Sequence, residues 1–228
     1  MRKFNVLSGK RKIVKILAVL MGLVGLSILI ATIYPIVSYE VMSREKFPIL
    51  LSPMSDTTDS SGFDSTKASN WFVGAAEEGD FSVSKVAYYT LSIPKLKINN
   101  ATVAIGGEDL SNNLVQYPGT ALPGKRGNAV IFGHSILPRF YDPKEYISIF
   151  STISTLEKGD DIHIYYDGVE YLYKVENLFE VYPTDIQVLE QNTSDAFLSL
   201  VTCSPPGDPR KPKRTIVRAR IVIPEGKT

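Results

Sequence analysis

"DIHIYYDGVEYLYKV", Asp161 to Val175, alternates apolar and polar residues on both sides of an Asp-Gly pair. A period of two puts one face of a strand on a core and the other in water, and Asp-Gly suits a tight hairpin turn. The stretch therefore reads as two antiparallel strands joined at Asp167 and Gly168. The same texture continues outward. "YYTLSI", "ATVAI", "NAVIFG", "DIHIYYDG", "VEYLYKV", "LFEVY", "FLSLVT" and "RTIVRARIVI" are short β-branched and aromatic runs between turn signals. Only "PKEYISIFSTISTLEKGD", Pro143 to Asp160, has helical character, with Ile147, Phe150 and Ile153 three apart and Gly159 as a stop. Eight short strands with one or two short helices predict a mainly β domain over residues 86–228, folded as a closed or nearly closed barrel.

The N-terminal side is built differently. "ILAVLMGLVGLSILIATIYPIV", Ile16 to Val37, runs 22 residues without a charge. As a helix it spans roughly 33 Å, enough for a bilayer core, and its apolar residues leave no polar stripe. Residues 1–15 hold six of the chain's 25 basic residues and none of its 24 acidic ones, which leaves 19 against 24 and a net charge of −5 for the rest. Positive charge beside the span keeps that end in the cytoplasm. "YPIVSYEVMS" offers no small-x-small cleavage site, so 16–37 reads as an uncleaved signal anchor with everything after it outside. A nucleic-acid arm is the wrong reading of the basic head, because the membrane separates it from an acidic body. Residues 38–85, with "SPMSDTTDSSGFDSTKASN" from Ser52 to Asn70, are too polar to form a core and read as a flexible stalk. "FPILL" and "WFVG" are apolar spots within it, suited to touch the membrane or the domain.

Three polar residues fall at strand ends. Cys203, the single cysteine, closes "FLSLVT" ahead of Pro205 and Pro206, which cannot extend a central strand. His134 closes "NAVIFG" after Gly133, and Arg214 opens the last strand. A thiolate is a nucleophile, an imidazole can take its proton and return it to a leaving amine, and a guanidinium can hold an oxyanion. On one rim of a barrel the three would make an acyl-transfer site. Read singly, each also fits a blander role: a packed thiol, a turn histidine, one member of the basic cluster with Arg210, Lys211 and Lys213. One cysteine allows no internal disulfide, and no ligand spacing points to a metal.

These residues resemble the sortase family. "LSLVTC" followed by "RTIVRA" is similar to its Leu-x-Thr-Cys strand end and its following Arg-φ-φ-Val-x-Ala strand. "GNAVIFGHS" resembles the histidine segment, "LSIPKLKI" and "YPGTALPG" the early strand and loop, and "VYPTDIQVL", Val181 to Leu189, the segment that helps wall the peptide groove. The resemblance covers about Thr90 to Val222. It implies a sortase-like barrel in which Cys203 is the nucleophile, His134 the general acid and base, and Arg214 the oxyanion and substrate clamp. Arg210 and Arg218 are neighbours that compete for the last role, but Arg214 alone stands three before Val217 and five before Ala219. The resemblance further implies that Thr202 borders the reacting carbonyl and that Ile186, Val188 and Leu189 face the apolar part of a sorting signal.

The implied reaction is transpeptidation without a cofactor. An LPxTG-like signal of a surface-protein substrate is cut at Thr-Gly, a thioester forms, and an amine from a cell-wall precursor or a protein Lys resolves it. Water as acceptor, giving a cysteine peptidase, and a non-catalytic peptide-binding surface module are the alternatives. Pilus-building relatives often carry a lid with an Asp-Pro-aromatic motif, which Met42 to Lys85 lacks. Calcium is not expected, since Glu108 and Asp109 stand almost alone and Gln191 lies where an acid would help. Phe132 is bulkier than the small residue usual before the Gly-His pair, and "SILPRFYDPKEY" after His134 is a further place for specificity to differ.

Overall fold

A computed structural model describes residues 4–46, 66–72 and 88–222. "FPILL" and most of the expected stalk lie outside the described residues. Two compact units divide at Met42 and Ser43.

The first is a single helix, α1 (Phe4–Lys46), with Pro35 inside it. Its stretch Val14–Ser43 is long and apolar enough to cross a membrane. Ser27 and Thr32 turn their hydroxyls back onto the carbonyls of Leu23 and Ile28, at 2.8 and 2.9 Å, so these polar groups are satisfied within the helix.

The second unit is a closed eight-stranded barrel. Its strands are β1 (Tyr88–Ile93), β2 (Ile98–Ile105), β3 (Leu114–Gln116), β4 (Gly127–Phe132), β5 (Asp161–Tyr166), β6 (Val169–Val181), β7 (Ala196–Ser204) and β8 (Lys213–Ile221), in the order β1-β2-β3-β4-β7-β8-β6-β5. β2–β3 and β4–β7 run parallel and the other pairs antiparallel. The β5–β6 hairpin turns on Asp167 and Gly168, both with positive φ (51° and 77°), the twist that matches flanking strands. "VEYLYKV" and "LFEVY" are one continuous strand, and the short β3 carries no signal of its own. The expected helical stretch 143–160 forms successive turns with one 3-10 turn at Ile153–Thr155.

Two apolar clusters explain the continuous apolar texture of β4 and β7. Ala129 and Ile131, Leu198 and Leu200, Val217 and Ala219 fill the barrel interior. Val130 and Phe132, Val201 and Cys203, and Ile216 point the other way into a second cluster outside the barrel wall. A strand covered on both faces shows no alternation. β6 joins this arrangement through a bulge between Val175 and Asn177. Tyr173 and Val175 pack inward before it, whereas Phe179 and Val181 pack on the outer cluster after it. One extra residue reverses the phase of a period-two strand.

A buried polar group sits on the opposite face from Cys203, at the same end of the wall. The Ser204 hydroxyl donates to Glu180 Oε1, and Lys213 Nζ lies 3.4 Å from Glu180 Oε2. Glu180→Ala should therefore leave the Lys213 cation buried without its carboxylate and cost about 3 kcal/mol. Urea titration of the full chain in detergent, followed by the fluorescence of its single tryptophan, checks this. Adding Lys213→Met should recover most of the loss, and a loss too small to measure would show that the pair does not hold this end of the wall.

Candidate active site

β7 and β8 place the thiol and a guanidinium face to face, since Cys203 and Arg214 are direct partners in the antiparallel register. The next outward-facing row comprises Phe132, Val201, Ile216 and Phe179, and the one after it Val130, Ser199, Arg218 and Asn177. Rows lie roughly 7 Å apart. The Cys203–Arg214 end thus continues into an apolar row that becomes polar further along.

His134 reaches the same end by a different route. Gly133 extends the β4–β7 ladder, its N–H donating to Val201 O at 3.1 Å. A Cβ there would meet Phe150 and Leu114 at 2.5 and 2.6 Å, so only glycine lets the chain pass beneath them. His134 follows with its carbonyl held by Phe150 N at 2.9 Å. Ser135 Oγ then donates to the carbonyl of Cys203 itself at 2.8 Å, which stitches the histidine segment to the cysteine. Cys203, His134 and Arg214 are all buried, at 2, 7 and 1 % exposure.

What buries them is a strap from the expected stalk. Thr66–Phe72, with a 3-10 turn at Ala68–Trp71, is fastened to the β2–β3 loop by Ala68 N–H to Glu108 O and Leu110 N–H to Thr66 O, both 3.1 Å. Trp71 stacks on Phe132 with centroids 5.2 Å apart and tilts against the His134 ring at 6.0 Å. Its carbonyl accepts from Arg214 Nε at 3.2 Å, and the Arg214 guanidinium lies 5.5 Å from its ring centroid. Phe72 lies against Phe132 as well. "WFVG" signalled an apolar spot in a polar stretch; sequence alone left its partner open between membrane and domain.

The remaining candidates fall at different distances from this end. Arg214 Nη1 donates to the carbonyls of Lys211 and Lys213, at 2.9 and 3.0 Å, which fixes its fork beside the thiol. Arg210 is exposed and bound bidentately to Asp208, whereas Arg218 lies four residues further along β8. Thr202, one residue from Cys203, points to the other face and donates to Gly133 O at 2.8 Å. Val188 and Leu189, on the 3-10 turn Ile186–Leu189, pack on the outer cluster, but Ile186 is exposed. Sequence reading missed Ser135, and noted Trp71 and Phe72 only as part of the apolar spot "WFVG" with no place at the site.

Burial pushes the Cys203 thiol above its ordinary value, against the pull of the Arg214 and Lys211 charges. The Arg214 guanidinium is pulled down by the same burial, and Cys203 acts against that. Asp109, on the loop that fastens the strap, is held below the carboxylate range chiefly by the Ser111 N–H and the Asn112 amide, with a further pull from His134. Among the described residues no group of His, Cys, Asp and Glu side chains is arranged to hold a metal ion.

A family profile described as Sortase domain matches residues 91–222, more than half of the chain. The chain belongs to the sortase family. It is 33% identical over 78 residues to sortase A of Bacillus anthracis, an alignment spanning 34% of this chain and 33% of that protein. Among solved structures, a sortase D5 transpeptidase of Clostridium perfringens matches with TM-score 0.51 and 25% identity, over 64% of this chain and 93% of the other. A lid mutant of sortase A from Corynebacterium diphtheriae matches with TM-score 0.52 and 25% identity, over 62% and 73%. The family match begins within β1, so the strap of this sortase lies outside it.

The site as it stands excludes water, and a raised thiol pKa leaves Cys203 protonated near pH 7. Alkylation of the full chain by iodoacetamide should be slow there, and its rate should rise with a midpoint above the ordinary thiol value of about 8.5. Trp71→Ala should speed the reaction at pH 7 at least tenfold and lower the midpoint. Equal rates in the two proteins would mean that the strap does not shield the thiol.

Proposed function

We propose that the chain is a membrane-anchored cysteine transpeptidase of the sortase type, acting on surface proteins that carry an LPxTG-like signal. The observation that carries this reading is the direct pairing of Cys203 with Arg214 at the end of the apolar outer face of the barrel wall, with the histidine segment tied to Cys203 through Ser135. Cys203 is the nucleophile, His134 the acid and base, and Arg214 the clamp.

The chemistry follows from those positions. His134 takes the thiol proton as sulfur attacks the Thr carbonyl carbon, and the carbonyl oxygen gains the negative charge. Arg214 is suited to that oxygen, because its Nε already donates to a peptide carbonyl, that of Trp71. Collapse breaks the Thr–Gly C–N bond, and His134 returns the proton to the leaving amine. The product is a thioester on Cys203. An incoming amine, from a cell-wall precursor or a protein Lys, gives its proton to His134, forms the new amide and frees the thiol. The peptide and the strap compete for the same groove, so the strap has to leave before the first step.

Substrate binding draws on the outer cluster. Val188 and Leu189 wall the groove over Val201 and Ile216, where the Leu and Pro of the signal would bury apolar surface. Ile186, exposed at the turn's start, would meet the peptide only at the groove's edge, and Thr202 would act on the carbonyl only through the backbone it braces. The domain reading 1–15, 16–37, 38–85 and 86–228 fits this role. A cytoplasmic basic head, one membrane pass and an extracellular catalytic domain bring enzyme, substrate and acceptor to one surface.

Full-length chain in detergent, given an LPxTG-like peptide with and without oligoglycine, should form a Cys203 acyl adduct by mass spectrometry and an amine-dependent product. Cys203→Ala should abolish both, and Arg214→Lys, which keeps the charge but loses the fork, should cut turnover by about 10²-fold. Hydrolysis unaffected by amine would instead indicate a peptidase. Absence of any adduct across a broad peptide panel would indicate a binding module.

A further inference from the structure

The far end of this outer face, where a bound peptide would run, is not apolar. Val188 O, on the turn that walls it, accepts from Asn128 Nδ2 at 2.9 Å and from Arg218 Nη2 at 3.4 Å. Asn128 Oδ1 in turn accepts from Ser199 Oγ at 2.8 Å, which aims a lone pair of that hydroxyl at Arg218 Nε, 3.1 Å away. Gln191 fixes Asn128 from the other side, accepting from its N–H and donating to its carbonyl, both at 3.0 Å. A chain of neutral groups therefore holds one guanidinium in a set orientation.

That guanidinium is half-buried. Among the described residues no carboxylate lies within ion-pair distance of Arg218. The nearby acids Glu176 and Asp195 are turned to Arg220, at 2.8 and 3.7 Å. Nε and Nη2 have neutral acceptors, and the ring of Phe179 lies 5.9 Å away. A guanidinium carries five N–H donors, so three are left over. Burial pushes Arg218 down from its ordinary value, and the pull of Glu176 offsets this only in part. A partly desolvated cation with spare, oriented donors gains most from a carboxylate that arrives with a ligand.

Its position says which part of a ligand. Arg218 follows Arg214 by four residues on the same face of β8. At roughly 3.3 Å per residue that is about 13 Å, the length of four residues of an extended peptide. If the scissile residue sits at Cys203 and Arg214, as the proposed function has it, the residue four places upstream reaches Arg218. In an LPxT-like signal that is the residue just before Leu. We infer that Arg218 is a specificity-determining residue that selects signals with Asp or Glu immediately upstream of the Leu-Pro pair.

The test uses full-length chain in detergent, oligoglycine as acceptor, and the peptides Xaa-Leu-Pro-Ala-Thr-Gly-Gly with Xaa as Glu, Gln or Lys. Wild type should favour Glu over Lys at least tenfold in kcat/KM, with Gln between. Arg218→Gln should bring the three within about twofold, Arg218→Glu should invert the order, and Arg218→Lys should keep it. The Lys variant retains the cation if the Glu variant does not fold. A role confined to holding the turn would instead lower all three peptides by the same factor in Arg218→Gln, and that result overturns the inference. So does a wild type that acylates all three equally, which leaves the transpeptidase reading intact. A wild type that forms no Cys203 adduct with any peptide removes that reading, and the selection with it.

Discussion

The antiparallel register of β7 on β8 sets Cys203 opposite Arg214, and the arrangement of the candidate site hangs on that pairing. Side chains on a strand alternate, so a slip of one residue would turn the thiol into the barrel and replace it outside with Thr202 or Ser204. Both faces guard against the slip. Leu198 and Leu200 are locked into the interior, Val201 and Cys203 into the outer cluster, and Glu180 binds the strand ends through Ser204 and Lys213. The bulge in β6 belongs to the same constraint, since it turns Phe179 and Val181 toward the outer face that would otherwise lack a flank.

Covering the outer face has an electrostatic consequence. Excluded water raises the thiol pKa and strengthens the interaction of any charge that remains. The strap therefore covers an assembled cluster in which burial favours the neutral form of the Cys203 thiol. Arg214 meanwhile spends its Nε on the Trp71 carbonyl, a contact that costs little to exchange for another carbonyl of the same kind. The strap is held by aromatic stacking on Phe132, by main-chain bonds to the β2–β3 loop and by the Arg214 guanidinium on Trp71. None of these contacts belongs to the barrel's own hydrogen-bond ladders.

Much of this was legible from the sequence because it rests on local pattern. The Asp-Gly hairpin, the apolar membrane span and the strand-end positions of Cys203, His134 and Arg214 are each encoded within a few residues. What escaped depends on contacts distant in sequence. β3 is three residues long and becomes a strand only because β2 and β4 flank it. "VEYLYKV" and "LFEVY" look separate because the bulge breaks the alternation without ending the strand. Thr202 is adjacent to Cys203 in sequence and for that reason lies on the opposite face. Within the polar stalk, Trp71 and Phe72 find their apolar partners some sixty residues later, at Phe132, which the composition of the stalk cannot reveal.

The two arginines of "RTIVRARIVI" show how register separates residues that composition equates. Arg214 and Arg218 share a strand and a face, and either could be chosen from the basic cluster as the partner of the thiol. Their neighbours differ in kind. Arg214 is met by three main-chain carbonyls, two just before it in the chain and one of the strap, which orient its guanidinium. Arg218 meets one carbonyl and one hydroxyl, and the hydroxyl is itself oriented by Asn128. The first setting holds a cation rigidly opposite Cys203. The second holds a cation where the groove closes and leaves donors uncommitted. An apolar side chain at 218 would continue the Val201–Ile216 floor and avoid the cost of half-burying a charge. Keeping an arginine there, and building the Gln191–Asn128–Ser199 chain to aim it, makes physical sense when the charge meets an anion that none of the described residues supplies.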